Sequence, residues 1–106
     1  MDTCIVLTTC GSEETAQAIA EALVDQGLAV CVTLLPGANS YCAIRGTTRW
    51  DEEYQLLIYG QVDQFEAISK VIRRLHTYEL PGIFLIKLDT GDPAALAWIQ
   101  ARMPGK

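Results

Sequence analysis

The chain has 106 residues and a net charge of −5, from 8 Lys and Arg against 13 Asp and Glu. That length suits a single domain, residues 1–106, around one core. Nucleic-acid binding calls for a basic face, and the only basic cluster is Arg73-Arg74, so DNA and RNA are disfavoured as partners.

The pass along the chain starts with Cys4-Ile5-Val6-Leu7-Thr8-Thr9, apolar on both parities and read as a short buried strand. Gly11-Ser12 stops it, and Ser12 is the expected N-cap of a helix with Glu13 and Glu14 in its first turn. Ala16, Ile19, Ala20, Leu23 and Val24 recur at helical spacing, and Gln26-Gly27 ends the helix. Residues 28 to about 44 read as one long strand with a kink or bulge at Pro36-Gly37. Proline lacks a donor, so an edge strand is expected there. Arg45 to Thr48 reads as a turn, and a second long strand follows from about 49 to 60. The first half of that strand carries Arg49, Asp51 and Glu53 on one parity, a face expected to meet solvent.

Asp63-Gln64-Phe65-Glu66 has the form of a capping box. Phe65, Ile68, Val71, Ile72 and Leu75 make the buried stripe of the helix it opens, and Arg73, Arg74 and His76 sit at its C-terminal end. Ile83 to Leu88 is a fourth strand. Asp92 and Pro93 open a last helix, with Ala95, Leu96, Trp98 and Ile99 as its packing face. Met103-Pro104-Gly105-Lys106 is expected to fray. The fold class is therefore α+β, a ferredoxin-like βαββαβ chain with a C-terminal helix and a four-stranded antiparallel sheet. An apolar second sheet face and an apolar edge both ask for cover, which points to a homo-oligomer.

No apolar run approaches a membrane span, and Met1-Asp2-Thr3-Cys4 has no basic region before an apolar one. The expectation is a cytoplasmic protein without membrane association. Cys4, Cys10, Cys31 and Cys42 form no C-x-x-C pair, so a zinc knuckle or thioredoxin motif is absent. Neither a G-x-S-x-G elbow, a P-loop nor a dinucleotide fingerprint is present, and catalysis is not expected.

Ala29-Val30-Cys31-Val32-Thr33-Leu34-Leu35-Pro36-Gly37-Ala38-Asn39-Ser40 resembles the pattern A-x-C-V-x-x-x-P-G-x-x-S of the CutA divalent-cation tolerance proteins. Gly46, Asp51-Glu52-Glu53, His76-Thr77-Tyr78-Glu79-Leu80-Pro81 and Ala97-Trp98-Ile99 extend the resemblance over residues 4 to 99. It implies a PII-like homotrimer with long strands pairing between subunits. It also implies a link to copper and other divalent cations. In the enterobacterial type a first-strand cysteine and two adjacent histidines are the proposed copper ligands. This chain has Thr8, Leu75 and His76 at those positions. Where the pattern has W-x-G-K, it has Ile44-Arg45-Gly46-Thr47.

His76, the only histidine, is read either as a helix C-terminal residue on the last carbonyls or as a metal ligand, with Cys10, Glu79 or a residue from a neighbouring subunit as partner. Tyr41, Arg45, Trp50 and Tyr54 are candidates for a ligand cleft between subunits. The function expected is a trimeric, weakly cation-binding or metal-responsive protein, with a divalent cation such as copper as the candidate ligand. The alternative is a PII-like signalling module binding a nucleotide or small anion. A third reading is a ligand-free scaffold for another protein.

Overall fold

Alternation along the first strand decides how the chain packs. The computed structural model describes residues 2–101, so the expected fraying of Met103 to Lys106 lies outside the described residues. In β1 (Thr3–Cys10), Cys4, Val6, Thr8 and Cys10 are buried, while Ile5, Leu7 and Thr9 are half-buried. Register places Cys4, Val6 and Thr8 opposite Gly60, Ile58 and Leu56 of β3 (Thr47–Gln61). Ile58 and Leu56 in turn face Val32 and Leu34 of β2 (Cys31–Ile44). One parity of three strands thus forms a single apolar face. Onto it pack Ala16, Ile19 and Leu23 of α1 (Glu13–Asp25) and Ile68, Val71 and Ile72 of α2 (Phe65–Leu75). Each fully buried Leu or Ile here stabilises the fold by roughly 1.5–3 kcal/mol. β4 (Phe84–Lys87) completes an antiparallel sheet of order β2-β3-β1-β4, the expected βαββαβ arrangement.

Local chemistry sets the boundaries, and in several places it moves them from where the sequence pattern puts them. Ser12 caps α1, its Oγ accepting from the Thr15 amide at 3.2 Å. Val24, expected on the apolar stripe, is instead exposed. Gly27 ends the helix at φ 73°, and the Leu28 and Ala29 amides both donate to the Leu23 carbonyl. Those bonds keep Leu28 and Ala29 out of the ladder, and although the Val30 amide already donates to the Tyr59 carbonyl of β3, β2 starts at Cys31 rather than Leu28. The apolar character of Leu28, Ala29 and Val30 serves burial. The capping box at Asp63 does not form, because Val62–Gln64 closes a 3-10 turn and α2 starts at Phe65 without a side-chain cap. β4 is shorter than the expected Ile83–Leu88 run, although the Leu88 amide still reaches the Thr3 carbonyl. In α3 (Pro93–Ala101) Asp92 caps as expected, accepting from the Ala95 amide at 3.1 Å. Its packing face is Leu96 and Ile99, while Ala95 and Trp98 are exposed. α3 packs on β3 and β1, and Ile99 lies outside the core shared with α1 and α2.

The break at Pro36-Gly37 is a β-bulge inside one continuous strand. Leu35 pairs with Gln55 and Ala38 with Glu53, so Pro36 and Gly37 together stand opposite Tyr54. β2 is an edge strand, as the proline requires. Beyond the bulge the hairpin runs out as an arm in which every residue from Tyr41 to Trp50 is exposed. Its turn is the two residues Arg45-Gly46, at φ 51° and 81°, a type I′ geometry whose twist matches the strands. Thr47 and Thr48, expected in the turn, already pair with Ile44 and Ala43. The arm stretches the molecule to 44 Å and its radius of gyration to 14.3 Å. A compact chain of this length has a radius of gyration of about 13 Å.

Gly37 sits at φ 76° with nothing within 4 Å of where a Cβ would stand. Gly37→Ala therefore adds backbone strain without a clash. Urea unfolding should give a loss of about 1 kcal/mol, the low end for an L-residue in the left-handed region.

Candidate functional site

The site begins where β4 stops. Its last pair is Phe84 with Leu7, so Thr8 to Cys10 of β1 have no strand on that side. The bond from Leu88 to the Thr3 carbonyl shows that odd-numbered carbonyls of β1 face β4, and Thr9 has the same parity. A buried carbonyl without a partner is costly. The His76 ring supplies the partner, with Nε2 2.7 Å from the Thr9 carbonyl oxygen. Its Nδ1 accepts from the Tyr78 amide at 3.1 Å, which assigns the proton to Nε2. The imidazole thus stands in for the strand residue that β4 is too short to provide.

The segment after α2 is anchored a second time. The Tyr78 hydroxyl donates to Glu53 at 2.5 Å, and a Cβ on Gly11 would lie 3.1 Å from that hydroxyl. Glu53 is 7% exposed. Burial alone would raise its pKa. Hydrogen bonds from Ser40, Tyr78 and Thr9, with His76 facing it, outweigh burial and hold the carboxyl below its ordinary range. Burial, followed by the Glu53 hydrogen bond and charge, pushes the Tyr78 hydroxyl above its own range. The sequence pattern assigned Glu53 to a solvent face together with Arg49 and Asp51. Those two do form a surface ion pair at 3.3 Å, but Glu53 is enclosed by the bulged strand and Tyr78.

On the other parity of β3 lies a cleft of about 450 Å³ lined by Gly11, Pro36, Gly37, Glu52 and Tyr54. Glu52 is exposed and Tyr54 half-buried. The cleft lies at the bulge, where Pro36 and Gly37 together stand opposite Tyr54.

Within one subunit, the residues expected to line a ligand cleft between subunits lie apart. Tyr54 lines the cleft, whereas Tyr41 and Trp50 form a cross-strand pair on the arm, 71% and 54% exposed. Trp50 Nε1 donates to Asn39 Oδ1 at 2.9 Å, and Arg45 occupies the turn. Trp50 and Tyr54 are four residue steps apart along the strand, a span of about 13 Å.

The expected metal donors are also dispersed. Both His76 nitrogens are committed to backbone groups. Cys10 is fully buried, and burial with the nearby Glu53 charge pushes its thiol up to about 11, far from the thiolate a metal needs. Glu79 is exposed, and among the described residues no three His, Cys, Asp or Glu side chains gather as a metal group. The residues present do not fit a copper centre within one subunit. Thr8, at the position matched to the proposed cysteine ligand, is 2% exposed, and its Oγ1 lacks a hydrogen-bond partner. Sequence reasoning missed Glu52, Glu53, Tyr78 and Gly11. The available signal was an acid pair placed where β3 turns from polar to apolar.

The sequence profile of the CutA1 divalent ion tolerance protein matches residues 4–102. The divalent-cation tolerance protein CutA of Yersinia pseudotuberculosis is 34% identical over 99 residues, covering 93% of this chain and 83% of that one. The CutA structure from Xylella fastidiosa superposes with a TM-score of 0.91 at 33% identity, covering 97% of this chain and 99% of that one. The divalent cation tolerance protein of Thermus thermophilus gives 0.91 at 33% identity, covering 95% of this chain and 98% of that one.

Two substitutions probe this arrangement. Tyr78→Phe removes a donor to a buried carboxylate and should cost about 1.5–3 kcal/mol at pH 7. Because the folded pKa of Glu53 is depressed, its contribution is complete above the unfolded value of about 4.3 and is lost as pH falls through the folded one. Chemical denaturation across pH should therefore show a smaller acid-side loss in Tyr78→Phe and Glu53→Gln than in the parent chain. Thr8→Val keeps the shape and removes an unpaired buried hydroxyl. A gain of about 1 kcal/mol in the same assay is expected.

Proposed function

The chain belongs to the CutA1 divalent ion tolerance protein family, and on that premise we propose a homotrimer that responds to divalent cations, copper among them, and holds them weakly. The observation that carries this reading is the arm. Its residues Tyr41 to Trp50 are all exposed, and they continue an edge strand that also exposes Leu35. An apolar edge of this length is an aggregation hazard in a lone subunit and a pairing surface in a closed ring. Within one subunit Cys10 is sealed and both His76 nitrogens are committed, which leaves Cys42 on the arm as the exposed thiol, and cation binding is assigned to donors brought together by more than one subunit, oxygen donors foremost. Few-ligand oxygen sites bind weakly. All four cysteines are free thiols, which supports a reducing, cytoplasmic setting. Among the described residues no helix is long and apolar enough to cross a membrane. A nucleotide or small anion is the less favoured ligand, because among the described residues no Lys, Arg or His lines the cleft.

Native mass spectrometry of protein purified without added metal or a polyhistidine tag tests the assembly. A trimer with little retained metal is expected, and a monomer would overturn the reading. Copper titration by calorimetry should give dissociation constants of about 0.1–1 mM, unchanged in Cys10→Ala and His76→Ala. Nanomolar affinity lost in either variant would restore a soft-donor centre.

A further inference from the structure

We propose that the cleft beside the bulge is a binding site for a small organic ammonium ion. This is independent of the divalent-cation reading and rests on size, charge and donor chemistry. The cleft volume of about 450 Å³ falls within the range of small-molecule sites. A divalent ion with six waters occupies about 180 Å³, taking about 30 Å³ per water, and would leave more than half of the space unfilled. Among the described residues the lining carries one carboxylate, Glu52, one aromatic ring, Tyr54, and no cationic side chain. A carboxylate and an aromatic ring lining one cleft are a combination that recognises ammonium groups, the ring through its quadrupole and the carboxylate through its charge.

The backbone points the same way. Pro36 is part of the wall and has no N–H to offer, which favours a ligand that brings its own donors. Gly37 has open space where a side chain would stand, so a ligand can approach the main chain there. Glu53, next in sequence to Glu52 and kept ionised by its hydrogen bonds, deepens the negative field behind the cleft. The N-terminus of α1, just past Gly11, is a positive element, but Glu13 and Glu14 in its first turn offset it.

The test uses the full chain and n-butylammonium chloride as probe, followed by calorimetry and saturation-transfer NMR, with sodium butyrate and 1-butanol as anionic and neutral counterparts. Saturable binding of one butylammonium per subunit is expected, with butyrate excluded. Glu52→Gln, at an exposed position that leaves folding intact, should weaken it about tenfold. Tyr54→Leu should weaken it about threefold, with retained fold checked by circular dichroism. Binding of butyrate or 1-butanol as tight as that of butylammonium would overturn the proposal. So would an absence of saturable butylammonium binding, or an affinity unchanged in Glu52→Gln. Failure of the copper titration alongside intact butylammonium binding would overturn only the cation reading and leave this one standing.

Discussion

A carboxylate kept ionised in an enclosed place governs how the parts of this molecule meet. Glu53 comes from β3, Ser40 from β2 beyond the bulge, Thr9 from β1 and Tyr78 from the segment after α2. Burial of a charge is tolerated only with such a set of donors. Removing the Tyr78 hydroxyl leaves an acceptor short, so the segment after α2 is tied to β3 more tightly than apolar packing alone would tie it. His76 extends the tie by holding the same segment to the Thr9 carbonyl. The chain from His76 to Tyr78 is therefore part of the architecture, even though it has no regular structure of its own.

This explains why the lone histidine draws attention in the sequence and proves to be committed. An imidazole near a helix end, a thiol at a strand end and a nearby glutamate look like a donor set when only spacing is known. Topology brings His76 to β1, but it does so to satisfy a carbonyl left over by a four-residue β4. Cys10 is on the core side of the same strand. The ring of His76 is used up by the requirement that buried polar groups be paired, and the Cys10 thiol is shut away by burial.

Much of the fold was legible because it rests on periodicity and on residues with strong local preferences. Ser12, Gly27, Pro36-Gly37 and Asp92 each mark a cap or a bulge where the structure has one. The misplacements share a cause. Leu28 to Val30 read as strand because burial and β-pairing select the same apolar residues. Asp63 reads as a cap because a 3-10 turn starts with the same chemistry. The candidate site was less legible. Tyr54 was identified, but its partners in the cleft are a glycine, a proline and an acid, residues with no distinctive spacing. Glu53 was misplaced because alternation assigns a face, and only tertiary contacts decide whether that face is covered.

The bulge has a further effect on the arm. Before it, Val32 and Leu34 share the core side of the sheet, and after it Tyr41 joins Trp50 on that same side, so the even positions of β2 hand over to the odd. The extra residue acts as a frameshift in space, and it absorbs a difference in length between the two strands. Deleting one residue at Pro36-Gly37 would leave Leu35 opposite Gln55, Ala38 opposite Glu53 and Tyr41 opposite Trp50. No surface of the arm would be exchanged. What would go is the local bend, and with it the gap over Tyr54. The heading of the arm and the side chains it displays are therefore separately adjustable. One position in the sequence steers the arm, while the alternation beyond that position decides what the arm carries.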